Sequence, residues 1–131
     1  MRLTRFTDIS LRALMYLGAH PGRPVPTSEM ALRLRVSKNH LMKSLQALSD
    51  LALVTGTRGN GGGFLLVEGA PATGLGTLVR KLEPNTALAE CFSPGSECPL
   101  TTDCRLADAL AEASTRFFEA LDQFTLALRS W

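Results

Sequence analysis

Long apolar runs are missing from this 131-residue chain, and none approaches the roughly 18 residues that a membrane-spanning helix needs. The amino terminus, MRLTRFTDIS, also lacks the apolar centre of a secretory leader, so the expected localisation is cytoplasmic. Cysteine is scarce and odd in number, at Cys91, Cys98 and Cys104. An odd count in a reducing compartment argues against a disulfide framework and for ligand or redox chemistry. Histidine occurs only at His20 and His40, far from the cysteines in sequence, and there is no CxxC. The paired-ligand pattern usual for structural zinc is therefore absent. What is present is ordinary for a folded domain. Apolar residues make up 45%, too many for a disordered chain and enough for a core without covalent staples.

The net charge of +2 conceals an asymmetry. Residues 1–60 hold nine Lys/Arg against three acids, a net +6, whereas residues 61–131 hold five against nine, a net −4. A basic half joined to an acidic half suggests that one end faces a polyanion, although solvation of two surfaces explains the bias equally well.

Apolar spacing then places the elements. Ile9, Ala13, Leu14, Tyr16 and Leu17 form one face of a helix from Thr7 to about Ala19, stopped by Gly18 and Pro21. A short second helix opens at Pro26-Thr27, with Thr27 as the expected N-cap, Glu29 in the first turn, and Met30, Ala31 and Leu34 inward. Ser37 caps a third helix whose core face is Leu41, Leu45 and Leu48. Its other face carries Lys38, Asn39, His40, Lys43, Ser44 and Gln46. Two short helices joined by a four-residue turn, the second basic outside, have the form of a helix-turn-helix. In that motif the start of the second helix reaches base edges, where Asn pairs with adenine and Lys donates to guanine or phosphate. A plain amphipathic helix explains this segment by itself about as well.

The next segment shifts the balance. Leu51–Thr55 is apolar and β-branched, Gly56–Gly63 is a glycine turn containing Arg58 and Asn60, and Phe64–Val67 is apolar again. Strand, turn and strand directly after a helix-turn-helix make a wing, with Arg58 placed for a minor groove or a phosphate. A nucleotide-cradling loop is excluded, because no Lys-Ser/Thr and no helix follow the glycines.

Beyond Pro71, Leu75, Leu78, Val79 and Leu82 predict a fourth helix ending at Glu83-Pro84. The cysteines follow at spacings of six and five residues, in a loop with Pro94, Gly95 and Pro99 that brings three sulfurs within reach of one centre. Thiolates suit iron–sulfur clusters or zinc, so the spacing favours a metal centre over inert thiols without saying which metal. From Cys104 to about Phe124 runs a long helix with the heptad seam Leu106, Leu110, Ala113, Phe117, Ala120 and Phe124, widened by Phe118 and Leu121. That stripe exceeds what one small domain needs, and the expected use is a homodimer reading two half-sites.

The segments MRLTRFTDISLRALMYL, VSKNHLMKSLQALSDLALVTGTRGNGGGFLL, LVRKLEP, CPLTTDCRLADALAEA and FFEALDQFTLA resemble the Rrf-two family of winged-helix regulators, most of all its nitric-oxide-sensing branch. The resemblance spans nearly the whole chain. It implies a homodimer whose cysteines hold an iron–sulfur cluster, 4Fe–4S in that branch, destroyed by nitric oxide with release of DNA. The cluster-assembly regulators of the family carry a His three residues after the last cysteine, where this chain has Ala107. The nitric-oxide branch completes its cluster with an Asp from the partner's first helix, matching Asp8, and Arg12 is then the residue that holds Asp8 when the cluster is absent. From the residues alone, Asp8 is an acid in a first turn, worth about 0.3–1 kcal/mol against the helix dipole, and an i,i+4 partner of Arg12.

The expectation is a mainly α fold with a small β-hairpin. Residues 1–70 form a winged helix-turn-helix, and residues 71–131 form a cysteine loop and a dimerisation helix. The expected function is that of a repressor, not an enzyme. Its DNA contacts are Ser37, Lys38, Asn39, His40, Lys43, Arg58 and Asn60 on a palindromic operator, and its cluster ligands are Cys91, Cys98, Cys104 and Asp8 of the partner subunit. Iron or redox sensing, and a zinc-stabilised winged helix, stay open as alternatives. The end at Trp131 leads to the expectation that no C-terminal tail function exists.

Overall fold

The computed structural model describes residues 2–100 and 103–126; the carboxyl-terminal 127–131 lie outside the described residues. The chain order is α1 (Arg5–Gly18), α2 (Thr27–Leu34), α3 (Lys38–Asp50), β1 (Val54–Thr57), β2 (Gly63–Leu66), α4 (Leu75–Leu82) and α5 (Arg105–Asp122), with single 3-10 turns at Ala70–Ala72 and Glu90–Phe92. The mainly helical fold with one hairpin is the expected winged helix-turn-helix.

Thr4 starts α1. Its hydroxyl oxygen accepts the Thr7 N–H at 3.2 Å, so the helix begins at Arg5, two residues before the expected start. Ile9, Ala13, Leu14 and Leu17 are buried as their spacing requires, while Tyr16 is only half-buried. At α2 the expected cap is corrected. Pro26 holds the N-cap position with extended backbone and no side-chain cap bond, and Thr27 is already helical. The ring restricts Pro26 to φ −61°, which suits an extended cap residue. Arg35 ends α2 in the left-handed region at φ 53°, leaving three residues before α3 instead of four.

Ser37 caps α3 as expected, its Oγ accepting the His40 N–H at 3.2 Å. Leu41, Leu45 and Leu48 are completely buried against α1 and α2. Each such leucine contributes about 1.5–3 kcal/mol on burial. The first strand starts later than expected. Leu51 and Ala52 still donate back to the α3 carbonyls of Ala47 and Ser49, at 3.0 and 2.9 Å, so β1 begins only at Val54.

β1 and β2 pair antiparallel, Val54 opposite Leu66 and Thr57 opposite Gly63. Val25, in the link before α2, adds itself to the other edge through two 2.9 Å bonds with Phe64. This approach requires Gly63, since a Cβ there would lie 2.3 Å from the Val25 carbonyl. The wing is thereby anchored beside the start of α2.

α4 lies between α1 and α5 and buries Leu78, Val79 and Leu82. No side chain of its own caps it. Asp122, at the end of α5, does so instead, accepting the Thr77 N–H at 2.7 Å and pairing with Arg80 at 3.2 Å. The Thr77 N–H foremost, and Arg80 after it, hold the Asp122 carboxyl below its ordinary range. At the other end of α4, Glu83 accepts the backbone N–H of Thr4 at 2.7 Å and joins that helix to the start of α1. Among the described residues, no helix is long and apolar enough to cross a membrane.

Candidate nucleic-acid interface and candidate metal centre

The amino-terminal edge of α3 is open to solvent. Ser37, Lys38, Asn39, His40 and Lys43 are all exposed, and so are Arg58 and Asn60 at the wing turn. The Ser37 hydroxyl hydrogen-bonds His40 Nδ1 at 2.8 Å, which leaves Nε2 as the ring nitrogen for a base or phosphate. Lys38 and Arg58 border one groove of about 560 Å³, together with Thr27 and Ser28 from α2 and Gly62 and Phe64 from the wing. Two cations from separate elements thus face one open space, the arrangement that suits a phosphate backbone. Positive φ at Gly59 (99°) and Gly61 (84°) turns the wing back on itself.

A polar cluster joins α2 to α1 and to the link between them. Tyr16 donates to Glu29 at 2.9 Å, and Arg23 grips the same carboxylate with two bonds of 2.8 and 3.0 Å. Arg23 first, then Tyr16, pulls the Glu29 carboxyl down to about 2. Burial, then the Glu29 contact, pushes the Tyr16 hydroxyl up.

Asp8 and Arg12 meet as their spacing predicts, at 3.4 Å, both partly open to solvent. Arg12 has a second contact that spacing does not reveal: it donates to the Leu34 carbonyl at the end of α2. The first helix is therefore tied to the turn that precedes α3.

The cysteines depart from the expected convergence. Cys91 lies in the 3-10 turn, Cys98 in the irregular stretch after it, and Cys104 at the start of α5. All three are partly exposed thiols with no disulfide among them. Among the described residues, no three His, Cys, Asp or Glu side chains are gathered at metal-binding spacing. Among the described residues of the segment between α4 and α5, Glu90–Phe92 is the one helical turn. As a donor set the three thiols do fit an iron–sulfur group, being soft ligands in one short segment with surface access.

The family model described as an iron-dependent transcriptional regulator, Rrf2, matches residues 3–128. The chain belongs to the Rrf2 family. Its function is accordingly transcriptional regulation and not catalysis. Solved structures agree on the fold. A transcriptional regulator from Lactobacillus plantarum is 25% identical, with a TM-score of 0.71 over 93% of this chain and 85% of that one. T. potens IscR is 23% identical, with a TM-score of 0.75 over 97% and 84%. CymR, the global cysteine regulator of B. subtilis, is 22% identical, with a TM-score of 0.75 over 96% and 93%.

Within this Rrf2 chain the sequence reading missed contacts that join distant residues, Glu83 to Thr4, Arg12 to Leu34 and Asp122 to Thr77. None has a spacing signal. It also passed over Met42, which lines the groove beside Lys38; a methionine four residues after Lys38 and outside the Leu41, Leu45 and Leu48 stripe was the available clue.

Proposed function

We propose that the protein is a homodimeric repressor of the nitric-oxide-sensing branch of the family, NsrR, which grips a palindromic operator with α3 and the wing. The observation that carries the DNA reading is the groove with Lys38 on one wall and Arg58 on the other. Asn39, His40 and Lys43 then read or flank base edges, and Ser37, Arg58 and Asn60 hold the backbone.

Cys91, Cys98 and Cys104 would hold a 4Fe–4S cluster, completed by Asp8 of the partner subunit. Bound there, the cluster supplies iron that reacts with nitric oxide. Asp8 is open enough to leave Arg12 for such a role, and a carboxylate is a harder and more easily lost ligand than a thiolate. Arg12 contacts both Asp8 and the Leu34 carbonyl, so moving Asp8 between Arg12 and the partner's thiols changes how α1 grips the turn before α3. Ala107, in place of a histidine, separates this chain from the cluster-assembly pattern.

Anaerobic purification tests the reading. The expected sample is brown, holds iron and sulfide in cluster stoichiometry, and releases its selected operator on addition of nitric oxide. Asp8→Ala should weaken cluster retention and blunt that response. A colourless protein with stoichiometric zinc would overturn it, as would an Asp8→Ala chain equal to wild type in both respects. A second reading, redox sensing by the thiols, is favoured by their partial exposure and lack of convergence. It predicts operator release by peroxide in iron-free protein.

A further inference from the structure

Met42 is an apolar side chain in a cationic setting. The other large apolar residues of α3, Leu41, Leu45 and Leu48, are completely buried, whereas Met42 is 40% exposed. It stands one helical turn after Lys38, and both side chains line the groove bounded by Thr27, Ser28, Arg58 and the wing glycines. Among the described residues no acidic side chain lines that groove, so its charge matches a polyanion.

The wing is also packed closely on its own backbone and on the link before α2. A Cβ on Gly62 would lie 2.5 Å from the Thr57 carbonyl oxygen, and one on Gly63 2.3 Å from Val25. Glycine at both positions lets the wing close on its own backbone and on Val25, which sets the wall that faces Met42 across the groove. A duplex seated between Lys38 and Arg58 brings its base edges to the α3 surface on which Met42 stands.

The major-groove edge of DNA presents one apolar group, the C5-methyl of thymine. A thioether on a flexible stem adapts to such a group, and it offers nothing to a phosphate or to a base amide. We infer that Met42 is a specificity-determining residue that packs on a thymine methyl at one position of each half-site. This inference rests on the DNA-binding reading above and adds a contact that hydrogen bonding cannot make.

The test begins with anaerobically purified full chain and a pool of randomised DNA duplexes, from which tight sites are selected. Each thymine of the selected site is then replaced in turn by deoxyuridine, which lacks only the methyl. Wild type should lose about three- to tenfold in affinity at one position per half-site, the scale of one lost methyl contact. Met42→Ala, an exposed change that leaves the core intact, should bind the thymine and deoxyuridine sites equally at that position. Lys38→Ala should bind more weakly overall yet keep the deoxyuridine penalty. Wild type indifferent to every replacement overturns the inference, and so does Met42→Ala that retains the penalty. A wild-type chain that enriches no sequence overturns the DNA reading itself, and this inference with it.

Discussion

α3 and α5 are both amphipathic, yet they are used in opposite ways. The 13-residue α3 buries Leu41, Ser44, Leu45 and Leu48 within the chain, whereas the 18-residue α5 buries only Phe118. Leu106, Phe117 and Phe124 of the α5 region stay 66%, 36% and 55% exposed. Phe118 turns toward α4 and stacks beneath the Arg80 guanidinium at 4.2 Å. The two helices show that an apolar stripe indicates burial but not by whom. In the first half of the molecule the partner lies in the same chain; in the second, most of the stripe has no such partner among the described residues, which supports a second copy as its cover.

The comparison breaks most sharply under truncation. Leu45→Ala should cost about 2–5 kcal/mol of folding stability, read as a fall in the urea midpoint, because its site is sealed on all sides. The double variant Leu106→Glu, Phe117→Glu should leave helicity intact and raise the dimer dissociation constant by about 100-fold or more in sedimentation. If it unfolds like Leu45→Ala, or stays dimeric, the contrast between the halves is wrong.

Acid sharpens the first half further. The folded Glu29 carboxyl sits at about 2 against an ordinary 4.5, so its contribution to stability is complete above pH 4.5 and is lost as pH falls through 2. Glu29→Gln should lower the melting temperature by a few degrees at pH 6, a modest effect because the pair is partly open to solvent. Wild type and variant should converge near pH 2; a gap that stays constant with pH would show that the carboxylate charge is not the cause.

The smallest expected effect has the opposite sign. Ser44 Oγ is buried with no hydrogen-bond partner among the described residues. Ser44→Ala should therefore stabilise the chain by about 1 kcal/mol in urea unfolding, since it removes a desolvated hydroxyl. A loss of stability would mean that the hydroxyl has a partner after all, such as buried water.

Much of the fold is legible where the deciding interactions are local. Ser37 caps α3 from its place in sequence, Pro84 follows the last turn of α4, and the glycines at 59 and 61 make the wing turn. The misread boundaries were local competitions. Thr27 is a good cap residue, but Pro26 already stands at the extended position before it. Leu51 and Ala52 look strand-like, but their N–H groups still close the end of α3. At the candidate site, the exposed edge Ser37–Lys43 and the Asp8–Arg12 pair follow from helical spacing. Convergence of the cysteines does not, because spacing bounds the reach of a loop without supplying the force that closes it.

The sequence by itself determined the helical periods, the Ser37 cap, the turn of the wing, and the residue types available as ligands and DNA contacts, since all of these depend on neighbours within a few positions. Tertiary structure alone decided which side of α5 meets α4, that Asp122 caps a helix 45 residues away, and that Glu83 ties down Thr4 across 79 residues. It alone brought Met42, Lys38 and Arg58 to one groove. The physical reason is range: a local cap such as Ser37 or a turn is chosen by adjacent backbone groups, whereas a groove or a hydrogen bond between residues far apart in sequence exists only after packing has brought distant segments together.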